Sequence, residues 1–321
     1  IDRLNYYFFN KIIFFYKLFI STLNFNIKPW VESEKLASDV DFLFYSFKAS
    51  SSQLCDDKDF YFGDVPLQLK KKKKKVVIAY TCLFKKRIKL NEQLKVPSLF
   101  FSKILNLKDE ILIHKILKKE SNLLKQESKL ESDSFKKKIL QFAANESLSL
   151  ESSANLRLSM QFIMLIKKIN PKVIVLTFEG HAFERVIFAS VREINPNIIC
   201  VSYQHTGVFK YSNAIKLNFH DKFNPNFILT SGAHAKFFLE DNSEFKNIKI
   251  SILGSSRGKF KKITNLSFDF NNRKSCLVIP EGILAECIAL FKFSVLCAKK
   301  NPHVIFIFRL HPFITFKKIK S

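Results

Sequence analysis

Residues 172–207 read KVIVLTFEGHAFERVIFASVREINPNIICVSYQHTG. Two apolar runs, 172–177 and 197–202, bracket a segment with helical spacing at 182–194, which ends near Pro196. Uninterrupted Val, Ile and Leu are what a strand covered on both faces requires. A helix between two such strands is the crossover that a parallel pair needs. The stretch is therefore a β–α–β unit, and it sets the class as α/β.

The same alternation continues toward the C-terminus. Apolar runs fall at 226–230, 249–253, 275–279 and 303–309, with helical segments at 233–240 and 283–298. Such alternation predicts a parallel sheet with helices on both faces. Toward the N-terminus, 76–84 reads as a strand. Residues 100–170 read as largely helical, with apolar spacings of three and four at Ile111, Leu112, Ile116 and Leu117. Within them 121–153 is the most polar part and is expected to be a mobile connection. The first 75 residues give no clear pattern. The apolar stretch 6–25 is interrupted by Asn10, Lys11, Lys17 and Asn24. It falls short of the ~20 mostly uncharged residues of a membrane span, and an amphipathic or core segment is expected.

The chain has 321 residues, enough for two domains, and 47% of them are hydrophobic, which excludes wholesale disorder. The formal charge of +25 invites a nucleic-acid reading. Its make-up argues otherwise: 45 Lys stand against 8 Arg, with 36 Phe and 7 Gly, the bias of A/T-rich codons. Nucleic-acid sites favour Arg for bidentate contacts, so no nucleic-acid partner is expected. The lysine run 70–75 is expected to be a solvated loop before a strand. Cys55, Cys82, Cys200, Cys276, Cys287 and Cys297 form no CxxC pair. They read as buried thiols of a reducing, cytoplasmic compartment.

In parallel α/β sheets ligands bind at the carboxyl ends of the strands. Those ends hold Glu179, His181 and Glu184; Gln204 and His205; Ser231-Gly232; Gly254, Ser255, Ser256 and Arg257; Glu281 and Gly282; and Arg309, His311 and Pro312. Six of the seven glycines lie there, which points to positive φ or close ligand approach. Each group has a plainer reading. Glu179 could cap the following helix. His181 and Glu184 could be a surface pair. His205 could be a turn histidine, and GSSRG or PEG a simple turn. Arg309 could be buried against a carboxylate. His181 and Glu184 alone make no metal site.

The series FEGHAFE, YQHTG, ILTSG, ILGSSR, IPEG and RLHP, at intervals of about 20–30 residues across 175–312, resembles bacterial surface-carbohydrate biosynthesis proteins of the O-antigen type. These are GT-B-like glycosyltransferases. The resemblance implies two Rossmann-type lobes with parallel sheets: an acceptor-side lobe over 1–262, and a nucleotide-donor lobe beginning near 270 and incomplete in 270–321. Ile1 at the start and the end at Ser321 lead to the expectation of a fragment. The His311-Pro312 pair is also similar to one in bacterial sialyltransferases, capsule Kdo transferases and teichoic-acid glycerophosphotransferases. There it contacts a cytidine nucleotide. The implied function is transfer of a sugar, or sugar-like unit, from a nucleotide-activated donor to a glycan or lipid-linked acceptor, with peripheral contact at the inner-membrane surface. His205 and then Glu179 are the expected general bases. Arg309, His311, Gly282, Glu281, Ser255, Ser256 and Arg257 would hold donor phosphates, and His181, Glu184 and Gln204 would line the acceptor side. Neither cofactor nor metal is expected. A non-catalytic binding or scaffold protein of a polysaccharide assembly is the alternative.

Overall fold

The computed structural model describes residues 27–49, 58–83, 94–241, 247–255 and 274–311, with the single residues 12, 13, 16, 19, 22, 53, 245, 314, 316 and 319. The chain divides into two compact units, Ile1–Lys259 and Phe260–Ser321.

The first unit is built on an eight-stranded sheet. In chain order its strands are β1 (Trp30–Glu32), β2 (Phe42–Lys48), β3 (Val76–Cys82), β4 (Ser98–Phe101), β5 (Val173–Thr177), β6 (Ile199–Gln204), β7 (Phe227–Thr230) and β8 (Lys249–Ile252). Their spatial order is β1-β4-β3-β2-β5-β6-β7-β8. Every pair is parallel except β1 with β4. The chain thus moves outward from β2 to β4, returns across β2 to β5, and moves outward again to β8. The reversal between β2 and β5 is a topological switch point of the Rossmann kind, where ligands of such sheets bind.

Alternate residues of one strand enter different cores. Leu43 and Tyr45 of β2, Val77 and Ala79 of β3, and Ile174 and Leu176 of β5 pack in one cluster with Phe162, Ile187 and Phe188. Phe44, Ile78, Tyr80, Phe100 and Val175 pack in another with Phe62 and Tyr203. Both faces are covered, which is why the strands carry no polar alternation. Helix α1 (Val65–Lys71) leads into β3. Lys70 and Lys71 close that helix near its C-terminus, where cations are favoured. Only Lys72–Lys75 form the expected connection, which corrects the reading of 70–75 as loop throughout.

The return from β4 to β5 runs through three helices: α2 (Leu107–Leu130), α3 (Ser134–Glu146) and α4 (Leu150–Ile169). The expected mobile connection at 121–153 is corrected. Three of its polar residues cap or tie helices, and most of the others lie on exposed helix faces. Asp133 accepts from Phe135 N at 2.8 Å and Lys136 N at 2.9 Å. Ser149 accepts from Ser152 N at 3.1 Å. Ser121 is buried and donates to Ala144 O at 2.6 Å, fastening α2 to α3. The apolar spacing in α2 also misleads: Ile111, Leu112 and Ile116 are exposed, whereas Glu110 and Ile113 face inward. Arg157 of α4 is the reason. It grips Glu110 through Nε–Oε1 at 2.6 Å and Nη2–Oε2 at 2.8 Å, with both side chains buried.

Two further helices flank the sheet's second half. Helix α5 (Ala182–Ile194) follows β5, and after the single turn α6 (Asn213–Lys216) and β7 comes α7 (Ala233–Glu240). The second unit pairs β9 (Ser275–Val278) with β10 (Ile305–Phe308) in parallel, joined by α8 (Leu284–Lys300). Parallel sheets with helical crossovers in both units match the expected α/β class. Cys82, Cys200 and Cys287 are buried, but Cys276 is exposed and Cys297 half-exposed, which corrects the expectation of uniformly buried thiols; Cys55 lies outside the described residues. Of the apolar stretch 6–25 only single residues are described, and no described helix is long and apolar enough to cross a membrane.

Candidate functional site

Beyond β5 the chain turns sharply through Phe178-Glu179-Gly180-His181 into α5. Phe178 is buried and continues the ladder, its N–H donating to Tyr203 O at 2.8 Å. Gly180 has φ +83°, and a Cβ there would lie 2.4 Å from Ala214 C and O. Backbone meets backbone at that point, so no other residue fits. Glu184 reaches back from the first turn of α5. Its carboxylate accepts from Glu179 N at 3.0 and 3.1 Å, Gly180 N at 2.8 Å and His181 N at 2.8 Å. This satisfies amides that a helix start leaves open. Glu184 is fully buried, which pushes its pKa up to about 7, against the downward pull of those amides and of His181. The capping carboxylate is thus Glu184 and not Glu179.

Freed from capping, Glu179 sits between two imidazoles. Its Oε2 lies 3.1 Å from His181 Nε2 and its Oε1 3.2 Å from His205 Nε2. The hydrogen bond to His181, outweighing partial burial, holds the Glu179 carboxyl below its ordinary value, with the charge of His205 and a bond to Thr206 adding to the effect. The same hydrogen bond raises His181. Side-chain exposure differs sharply across the group: 56% for His181, 31% for Glu179 and 6% for His205. His205 is covered by Tyr61, whose ring meets it edge-on at 4.7 Å. Tyr61 is in turn set by Asp59, whose Oδ1 accepts from Tyr61 N and Phe62 N at 2.8 Å each. Nε2 of His205 faces Glu179, and its Nδ1 is buried. Of the two expected bases, Glu179 is therefore the more exposed. Gln204 is fully buried at the end of β6 and its amide donates to the Thr206 carbonyl. It shapes the turn that carries His205.

Ser255 lies near a pocket of about 380 Å³ lined also by Tyr61, Asp64, Gln68, Tyr203 and Gly254. Tyr203 closes one side by donating to Gly254 O at 2.8 Å. Ser256, Arg257 and Pro312 lie outside the described residues. Within the second unit, His311 lies against Gly282, where a Cβ would be 3.0 Å from the ring. Arg309 is exposed, and its N–H donates to Val278 O at 3.0 Å, so it continues the ladder where β9 and β10 end. Glu281 is exposed and its carbonyl takes the Cys287 thiol at 3.7 Å.

The sequence reading missed Tyr61 and Lys48. Lys48 ends β2 at the switch point, is buried, donates to Gln53 O at 2.9 Å and lies over the Tyr80 ring. The one local signal for Tyr61 is the Asp59–Gly63 bracket, an Asx turn closed by a positive-φ glycine. Among the described residues, no group of three or more His, Cys, Asp and Glu side chains is arranged to hold a metal ion.

No protein-family model matches the chain, and no curated protein matches it. Among solved structures it is similar to an α,α-trehalose-phosphate synthase (UDP-forming) from Burkholderia vietnamiensis, with 10% identity, TM-score 0.42 and coverage of 87% of this chain and 67% of that one. It is likewise similar to an α,α-trehalose 6-phosphate synthase from Burkholderia multivorans, with 10% identity, TM-score 0.42 and coverage of 88% of this chain and 65% of that one. The chain thus spans about two thirds of their length. The fold assignment rests on the strand order and not on this likeness.

Proposed function

We propose that the chain is a GT-B-type, metal-independent glycosyltransferase that moves a sugar or sugar-like unit from a nucleotide-activated donor to a glycan or lipid-linked acceptor of a bacterial surface polysaccharide. The observation that carries the reading is Glu179: a partly exposed carboxylate, kept ionised by two imidazoles, at the carboxyl edge beside the switch point. An acceptor hydroxyl must lose its proton as it attacks the anomeric carbon. Glu179 takes that proton. His181 and His205 fix the carboxylate, one on each oxygen, and Tyr61 and Gln204 fix His205. The donor's leaving phosphate needs positive charge and amides in place of a metal. Arg309, His311 and the backbone near Gly282 are the groups assigned to that task, with Ser255, Ser256 and Arg257 as further candidates. The motif series shared with surface-carbohydrate enzymes supports this substrate class. The resemblance of the His311-Pro312 pair to one that contacts a cytidine nucleotide supports a donor of that type, and a lipid-linked acceptor would place the work at the cytoplasmic face of the inner membrane.

The test separates chemistry from binding. Purified protein is screened with cytidine, uridine and guanosine nucleotides by thermal shift, and turnover is then followed with the matching nucleotide sugar. Glu179→Gln is expected to keep the thermal shift and lower turnover by roughly a hundredfold or more, the scale of a lost general base. Arg309→Ala is expected to abolish the shift first. If Glu179→Gln turns over at the wild-type rate, the base lies elsewhere.

A further inference from the structure

The segment that follows His205-Thr206-Gly207 has an unusual surface. Phe209 and Tyr211 are 75% and 77% exposed, and Leu217 and Phe219 are 51% and 49% exposed. Four large apolar side chains within eleven residues therefore face solvent, while Ile215 alone among the large apolar side chains of that span is fully buried. Lys210 and Lys216 are interleaved with them and Lys222 follows, against the single acidic Asp221.

These side chains stand on a fixed support. Ser212 closes the tip, its N–H donating to Phe209 O at 2.9 Å and its Oγ accepting from Phe209 N at 3.0 Å. Two arginines of α5 strap the rest. Arg185 donates to Leu217 O at 2.7 Å and Asn224 Oδ1 at 2.7 Å, wedged between the rings of Phe178 and Phe219. Arg192 donates to Asp221 O at 3.0 Å, Lys222 O at 2.8 Å and Asn224 O at 2.7 Å. At its inner end, the backbone of Ala214 abuts Gly180. A chain held this firmly could have turned its rings inward, so their exposure calls for a partner surface.

We propose that residues 208–219 dock on an anionic lipid bilayer. Amphipathic aromatic rings with a basic fringe match the water–lipid interface, where rings enter the headgroup layer and lysines meet anionic headgroups. The proposal rests on the reading of a lipid-linked acceptor, and it gives that acceptor a route. The turn joins directly to His205, so a bilayer held by Phe209 and Tyr211 presents a lipid-borne hydroxyl beside Glu179.

The test uses the full chain and vesicles of phosphatidylcholine, with and without phosphatidylglycerol. A Phe209→Ser, Tyr211→Ser double variant keeps every charge, so it separates ring insertion from the general attraction of a +25 protein. It is expected to partition roughly tenfold more weakly to mixed vesicles, with the difference persisting in high salt, where lysine attraction is screened. In Phe209→Trp the added fluorescence is expected to shift to the blue on mixing with the anionic vesicles, after subtraction of the native Trp30 signal. Equal partition of the double variant and wild type overturns the proposal. So does a change in self-association or melting temperature with partition unchanged, which would assign the rings to a protein contact. Vesicle binding needs no donor, so a protein that partitions as described yet binds no nucleotide would sink the transferase reading and spare this one.

Discussion

Glu184 and Glu179 are five residues apart and titrate in opposite senses. Burial raises Glu184 from its ordinary 4.5 to about 7, so between those values the folded chain holds a proton that the unfolded chain has released. Its contribution to stability therefore falls as pH rises from about 4.5 to about 7 and is flat above. Urea denaturation across that range should show the decline, and Glu184→Gln should remove it. The Glu179–His181 pair behaves differently. Glu179 is lowered, so its share is present above its unfolded value and lost in acid; His181 is raised, so its share is lost as pH climbs past its folded value. The pair is thus fully formed only between about pH 4.5 and 6.5. In His181→Ala, the fall in stability above pH 6.5 that His181 contributes should disappear, leaving only the Glu184 decline that ends near pH 7. That Glu179 and His205 stand at neighbouring strand ends was legible, because the apolar runs just before them mark two buried parallel strands. The division of labour was not, since FEGHAFE holds two glutamates and only the turn at Gly180 decides which one caps.

At the scale of elements, Gly180 and the Arg157–Glu110 pair each join parts distant in sequence. A side chain at Gly180 must displace the α6 backbone as well as accept a left-handed φ. Gly180→Ala is expected to cost on the order of 3 kcal/mol, with the largest losses of hydrogen-exchange protection in α5 and α6. Arg157→Met strands a buried carboxylate between α2 and α4. It should cost about 3–5 kcal/mol, with much of that recovered when Glu110→Leu is added. Helices α5 and α7 were readable to the residue from spacing and caps, as were β5 and β7 to within one. Strand β2 was not, although FLFYSFK is apolar. Asp41 before it and Lys48 at its end break the run, and its partners lie far away in sequence, so nothing local distinguishes it from a helix. The same holds for β4, buried between two longer segments of different character.

For the molecule as a whole, the eight-stranded sheet and both of its cores are made by residues up to Ile252. A chain ending at Lys259 is expected to keep a cooperative thermal transition and its near-ultraviolet dichroism; a broad, non-cooperative melt would show that the sheet depends on the second unit. The sheet's order also has a temporal side. β2 pairs with β3 almost as soon as both exist, but its other edge waits for β5, and Phe42 and Val173, which end up side by side, are 173 − 42 = 131 residues apart. At ordinary elongation rates the ribosome needs roughly 7 to 26 s to make that span. Throughout that interval the central strand of the future sheet offers an open, apolar edge to any other nascent chain. A ribosome-associated chaperone should crosslink to β2 on stalled ribosomes until β5 has emerged, and yield in its absence should fall most at high expression rates.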